Sequence, residues 1–462
     1  MLFKLEELKQ LFTKHGGNIY DAIEINCVNT DSRVHAPHSL FVPIVGENFN
    51  GHDYVTDAIK NGAAAVIWDE KEELPNSIPK DFPVFSTEDT IKGLQQLAHY
   101  YRNVIHPVVI GITGSNGKTT TKDLVASLCS STYRTHYTSG NFNNQIGLPL
   151  TILSMPRDTE VLVLEMGMDR FGEIDALTKI ARPDYAIITN IGESHIEFLG
   201  SRAGIAKAKL EIINGLKPEG MLIVDGDEPL LEDIHTDKQI SIKTVGFLDK
   251  NDKQIIGTDI TVDGTTFSLN NGEEFDVALF GKHHAKNAGF ALTIAEELKV
   301  PVEKQKEALR NLKHTSMRFE LLPAKQGAMI VNDSYNASPT SMKGAIEVIK
   351  QMEGFSKKII VLGDVLELGS YAIEMHRDIA QAVTEPITHL YTYGENAAFI
   401  TEEVSKNNNA VSNSHYATKE LLLADLEKEL DKDAIVLFKA SRGLAFESMV
   451  DQLIIQEENE EQ

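Results

Sequence analysis

Short apolar runs rich in β-branched residues alternate with amphipathic stretches along the chain, a rhythm that predicts α/β units built on mostly parallel sheets. In the middle these runs are Val108 to Ile112, Val161 to Leu164, Tyr185 to Thr189 and Met221 to Val224. Near the start, Leu5, Leu8, Leu11 and Phe12 recur at helical spacing, Leu40 to Ile44 reads as a strand, and Thr90 to Tyr101 reads as a helix. Between them, Ala58, Ile59, Ala63 and Ala64 lead into a strand through Val66, Ile67 and Trp68. The pattern resumes at Met329 to Val331, Ile359 to Leu362 and Val436 to Phe438. Gln254 to Asp276 predicts a hairpin excursion, Ile260 to Val262 against Thr265 to Leu269, turning at Asp263-Gly264. A long helix is predicted over Ala288 to Leu298. The expected architecture is three-domain α/β: an N-terminal α/β domain over 1–105, a central doubly wound, mostly parallel sheet over 106–315, and a Rossmann-like C-terminal α/β domain over 316–462.

Polar residues collect where these strands end, and ligands of such sheets bind outside the carboxyl ends of their strands. Val108 to Ile112 runs into Thr113-Gly114-Ser115-Asn116-Gly117-Lys118-Thr119-Thr120. A buried strand, a glycine-rich turn and a helix start in that order make a phosphate loop: backbone N–H groups converge where a Cβ would crowd the anion, and the helix end adds unpaired donors. Lys118 can reach the terminal phosphates of a nucleotide, and the Thr119 hydroxyl can ligate Mg²⁺. The spacing is GxxGxxGKT, with Ile112 where the usual phosphate loop has its first glycine.

The second strand ends in Glu165, either a second carboxylate on the Mg²⁺ side or a solvated strand-end residue. The third leads to His195, either a buried hydrogen-bonded imidazole or a metal ligand in the company of hard oxygens. Lys207 and Lys209 point about 200° apart on one helix, so at most one faces the crevice. An ammonium beside Mg²⁺ is repelled, whereas a lysine that has captured CO₂ carries a carbamate anion; surface salt bridging is the alternative. In the first unit, Arg33 and nearby turn donors are free to bind something, or the unit is a packing module with an incidental arginine.

Composition narrows the classes. The chain has 462 residues and a formal net charge of -24, with no basic cluster suited to a nucleic-acid backbone. Two cysteines, Cys27 and Cys129, make neither a disulfide framework nor a thiolate metal site, and read as lone thiols in a reducing cytoplasm. No apolar run reaches ~18 residues, so a cytoplasmic protein without membrane insertion is expected, with a monomer as the default.

Several strings together resemble the Mur ligases: TGSNGKTTT, GNFNNQIGLPLT, LEMGM, TNIGESHIEFLGS, AKAKLEI, NDSYNASPTSM, LGDVLELG and KASRG. NDSYNASPTSM and LGDVLELG resemble the member of the family that joins D-alanyl-D-alanine to UDP-N-acetylmuramoyl-tripeptide in peptidoglycan precursor synthesis. The resemblance implies an ATP- and Mg²⁺-dependent amide ligase working through an acyl phosphate. It implies that Gly114, Ser115, Asn116, Gly117, Lys118, Thr119 and Thr120 cradle the nucleotide, with Asn287, Arg318, Asp333, Tyr335 and Asn336 also on its side. Lys118, Glu165, His195, Lys209 and Asp333 would be catalytic, with Thr119, Glu165 and His195 as metal ligands and Lys209 the lysine that the family carbamylates. Ser32, Arg33, Asn141, Asn144, Lys439, Ser441 and Arg442 would meet the substrates. His284, Ala440 and Asn50 depart from the family pattern, which usually has asparagine, glycine and aspartate there. A sibling ligase using another amine, and a nucleotide switch without an acceptor, are the rival classes.

Overall fold

A computed structural model of the chain describes residues 1–19, 23–261, 263–313, 315–407 and 410–455. The strand Val108–Thr113 lies between Val161–Glu165 and Tyr185–Ile188, parallel to both. Its alternate residues enter different cores: Ile110 and Ile112 pack with Leu124, Val125 and Phe290, whereas Val109 packs with Leu148, Ile152 and Ile174. Helices therefore cover both faces, and this is why the run is apolar throughout rather than alternating. The phosphate loop and Glu165 thus emerge from neighbouring strands at the same edge.

The central sheet has nine strands. Thr135–Tyr137 forms one edge, and the parallel order continues through Met221–Asp225, Ser241–Gly246 and the start of Lys253–Thr261. The expected hairpin is therefore an antiparallel extension of this sheet, with Gly264–Leu269 returning along Lys253–Thr261. Its turn differs from expectation: Gly264 pairs with Thr261 and belongs to the strand, while Val262 lies outside the described residues. The long helix begins six residues early, at Lys282, so Asn287 sits inside it rather than before it.

The first unit has a five-stranded sheet in which Cys27–Asn29, Ser39–Phe41, Ala63–Asp69 and Val84–Thr87 run parallel. The strand expected through Ile44 stops at Phe41, because the chain then turns at Pro43 into the loop before Gly51. Asn50, one of the departures, caps the short 3₁₀ turn Gly51–Tyr54: its Oδ1 accepts from the His52 amide at 3.0 Å and its Nδ2 donates to Glu72 at 3.1 Å. An aspartate could accept the first bond but not donate the second.

The last unit has six strands in the order Glu320–Pro323, Met329–Asn332, Ala434–Lys439, Lys357–Gly363, His389–Tyr393 and Ser412–Tyr416, all parallel but the first. The three strands that carry Asp333, Asp364 and Lys439 at their carboxyl ends are adjacent. No helix of the described residues is long and apolar enough to cross a membrane.

Candidate active site

Gly114 and Gly117 open the loop by taking backbone conformations that side chains disfavour, φ 153° and 78°. Space is as limiting as torsion: a Cβ on Gly114 would lie 1.8 Å from Thr189 Oγ1. The turn is tied to the next strand end, since Asn116 N donates to Asn190 Oδ1 at 2.9 Å and Thr189 Oγ1 donates to the Asn116 carbonyl at 2.6 Å. The Ser115 hydroxyl is buried without a hydrogen-bond partner among the described residues, and Thr120 is half-buried. Lys118, first residue of the helix Lys118–Ser130, folds back to donate to the Gly114 carbonyl at 2.8 Å. Burial pushes its pKa down, against the pull of Glu165.

Thr119 and Glu165 meet directly: the hydroxyl donates to Glu165 Oε2 at 2.8 Å. The other carboxylate oxygen accepts from Asn143 Nδ2 at 2.8 Å. Asn143 was not among the expected site residues. Its neighbours take other work: Asn144 Oδ1 accepts from the Ile146 and Gly147 amides at 3.1 and 2.9 Å where the helix Gly147–Leu153 begins, and Asn141 is exposed. The structure therefore does not bring Asn141 or Asn144 to the carboxylate.

His195 sits apart from this pair. Its Nδ1 lies 2.6 Å from Glu367 and 3.2 Å from Asp169, and no hydrogen bond or ion pair joins it to Thr119 or Glu165, whose side chains bond each other, Arg318 and Asn143. Burial lowers its pKa, opposed by Glu367 and Asp169. Among the described residues, no group of three or more His, Cys, Asp and Glu is arranged to hold a metal. The two lysines of the helix Arg202–Leu210 separate clearly. Lys207 is exposed, over the Phe171 ring. Lys209 is 2% exposed and has no hydrogen-bond or ion-pair partner among the described residues. Burial first, then the Lys118 charge, pushes its pKa well below that of an ordinary lysine.

The C-terminal unit reaches into the loop. Arg318 donates to Thr119 Oγ1 at 3.2 Å and lies over the Tyr335 ring at 4.2 Å. Lys439 is buried against Asp333 at 2.6 Å and also donates to the Asn336 carbonyl at 3.2 Å. Ser441 Oγ accepts from Leu366 N at 2.9 Å, which makes it a brace for the loop after Gly363. Arg442 is half-exposed and pairs with Glu447 at 3.1 Å. Ala440 takes no left-handed φ, so the methyl that replaces a glycine here strains nothing. Asn287 lies against Gly117, where a Cβ would be 2.9 Å from its Oδ1, and His284 approaches it at 3.5 Å.

In the first unit the Arg33 side chain is 87% exposed and held by its own Asp31 through bonds of 2.8 and 2.7 Å. The guanidinium holds the Asp31 carboxyl down at about 2. Ser32 is buried, its carbonyl taken by Asn61 at 2.8 Å.

Three family descriptions match in turn: Mur ligase family catalytic domain over residues 24–102, Mur ligase middle domain over 112–295, and Mur ligase glutamate ligase domain over 317–442. The UDP-N-acetylmuramoyl-tripeptide–D-alanyl-D-alanine ligase of Bacillus subtilis is 46% identical over 94% of each chain. The crystal structure of MurF from Acinetobacter baumannii superposes with a TM-score of 0.87 at 28% identity, covering 97% of this chain and 98% of that one. The MurF ligase of Thermotoga maritima, solved in complex with ADP, gives 0.82 at 28% identity over 94% and 98%. With matched domains in sequence and a relative this similar along nearly its whole length, the chain belongs to the Mur ligase family.

Proposed function

We propose that this protein uses ATP to join D-alanyl-D-alanine to the terminal carboxylate of UDP-N-acetylmuramoyl-tripeptide, in the synthesis of peptidoglycan precursors. The observation that carries the reading is the meeting at Thr119: its hydroxyl bonds Glu165 on one side and receives Arg318 from the C-terminal unit on the other. We further assign residues 1–105 to the uridine nucleotide substrate, 106–315 to ATP and 316–462 to closure over the reacting groups. Their separate sheets support that division.

A carboxylate is a poor electrophile, so the chemistry needs its conversion to an acyl phosphate, which the amine of the dipeptide then attacks with loss of phosphate. Lys118 and Arg318 bring fixed positive charge to the phosphoryl group, and placement of such charge supplies much of the rate in phosphoryl transfer. The Thr119 hydroxyl and the Glu165 carboxylate fit Mg²⁺, since both are hard oxygens and they already lie 2.8 Å apart. When bound, the ion would neutralise charge on the phosphate oxygens. His195, with Asp169 and Glu367, is the remaining candidate ligand. Lys209, buried and unpaired, suits capture of CO₂: its neutral amine is the form that attacks, and the resulting anion would answer the Lys118 charge. Asp333 anchors Lys439, while Asn287, Tyr335 and Asn336 line the nucleotide side. Ser32 and Arg33 would take the uridine nucleotide, and Asn141, Asn144, Ser441 and Arg442 the reacting ends.

The test is phosphate release from Mg²⁺-ATP with and without each substrate, with the product followed by mass. Release that needs both substrates and yields a product longer by one dipeptide supports the assignment; release indifferent to the dipeptide overturns it. Asn143 offers a finer probe. Asn143→Ala should lower activity about tenfold and raise the Mg²⁺ concentration needed, because groups that orient a metal ligand have effects of this order. A Mg²⁺ titration of the rate checks it.

A further inference from the structure

The helix Pro339–Gln351 of the C-terminal unit begins directly over the phosphate loop. Ser338 Oγ donates to Asn116 Oδ1 at 2.9 Å, and Thr340 Oγ1 donates to Glu193 Oε2 at 2.8 Å and to Oε1 at 3.0 Å. Both acceptors belong to the central unit, one on the loop itself and one after the neighbouring strand. Ser338 is buried, and its hydroxyl also accepts from the Ser341 amide at 3.2 Å, so it starts the helix and grips the loop with one oxygen. Asn116 is thereby fixed at three atoms: its amide by Asn190, its carbonyl by Thr189 and its side-chain oxygen by Ser338. The remaining side-chain atom, Nδ2, is buried with no hydrogen-bond partner among the described residues. A buried donor left open in an otherwise fully bonded side chain is costly unless something else accepts from it.

We propose that Ser338 and Thr340 are positioning residues that clasp the C-terminal unit onto the nucleotide loop, and that Ser338 turns the Asn116 amide so that Nδ2 faces the transferring phosphoryl group. The proposal rests on the ATP-dependent reaction assigned above. The clasp forms only when the two units are together, so it links assembly of the site to donation of one more hydrogen bond at the loop. Nothing in it is needed to hold ATP on the central unit alone.

Three single substitutions in the full chain, and a double variant that combines Ser338→Gly with Thr340→Val, separate the clasp from helix capping. Ser338→Gly removes the donor, and glycine starts a helix almost as well as serine. Thr340→Val removes the second bond at constant shape, and Ser338→Thr keeps the hydroxyl. Steady-state kinetics in ATP, with both substrates saturating, should show kcat lowered about tenfold in Ser338→Gly and further in the double variant. The KM for ATP should stay within about twofold, and Ser338→Thr should restore kcat. Small-angle scattering with a non-hydrolysable ATP analogue and the UDP-linked tripeptide should show the double variant less contracted than the unmodified chain. A kcat within about twofold of the unmodified chain in the double variant, a loss that Ser338→Thr shares, or a loss carried by KM instead would overturn the clasp. Absence of dipeptide-dependent synthesis in the unmodified chain would instead overturn the reaction, so the two failures are distinguishable.

Discussion

Replacing Lys118 with alanine should lower ATP-dependent amide synthesis by on the order of 10³-fold, at the upper end of what removal of one preorganised electrostatic group costs. The Lys118 ammonium donates to the carbonyls of Gly114 and Ser115, at 2.8 and 3.4 Å. Those oxygens belong to the loop that a phosphate would occupy, so the side chain is folded over its own site. Burial disfavours its charge and Glu165 favours it; an arriving polyphosphate adds to the second influence and fixes the charged form. The variant keeps the strand, the loop glycines and the helix. Its melting temperature should therefore stay close to that of the unmodified chain while single-turnover phosphate release disappears. Amide synthesis retained in Lys118→Ala would remove the central claim of the proposed function.

The second large effect is expected at Lys209. Lys209→Ala should lower kcat by at least about 10²-fold, and added bicarbonate should not restore it, because the attacking nitrogen is gone. In the unmodified chain, ¹³C-labelled bicarbonate should give a carbamate resonance that is missing from the variant. The burial supports this chemistry through its sign. A lysine whose pKa is driven down holds more neutral amine at a given pH, and carbamate formation consumes that form. Lys207, two residues away and exposed, provides the internal control: Lys207→Ala should keep both the resonance and the rate. Normal activity in Lys209→Ala would end the carbamate assignment.

Much of the architecture is readable in the chain because burial on both faces leaves a plain signature. The strands at the middle of each sheet are unbroken apolar runs, and their polar ends mark the crevice. The edge strand Ser412–Tyr416, with sequence SNSHY, carries no such run, since its pairing with His389–Tyr393 comes from backbone and position. The start of the helix at Lys282 is similarly obscured by the polar KHHAKN segment. At the site, the Lys118–Thr119 pairing with a strand-end carboxylate follows from the order of strand, loop and helix. Asn143 does not. Three asparagines crowd GNFNNQ, and only the shape of the turn, in which Asn144 Oδ1 takes the Gly147 amide, sets Asn143 apart as the one that reaches Glu165. Ser338 and Asn116 are 222 residues apart, and no local periodicity reports a contact between separate units. Arg33 shows the converse: an isolated arginine is visible in the sequence, but its bidentate hold on Asp31 is a feature of the loop's shape.

The bond between Thr119 and Glu165 also bears on the order in which ligands enter. The two groups that would bind Mg²⁺ already satisfy one another at 2.8 Å. A bare ion must first break that bond, and it offers nothing to Lys118 or to the open donors of the loop. An ion arriving already chelated by a nucleotide would replace the lost bond with phosphate oxygens, and would give Lys118 a partner in the same event. Under the proposed function, entry would thereby be ordered by a single hydrogen bond, favouring the metal–nucleotide complex over either component alone.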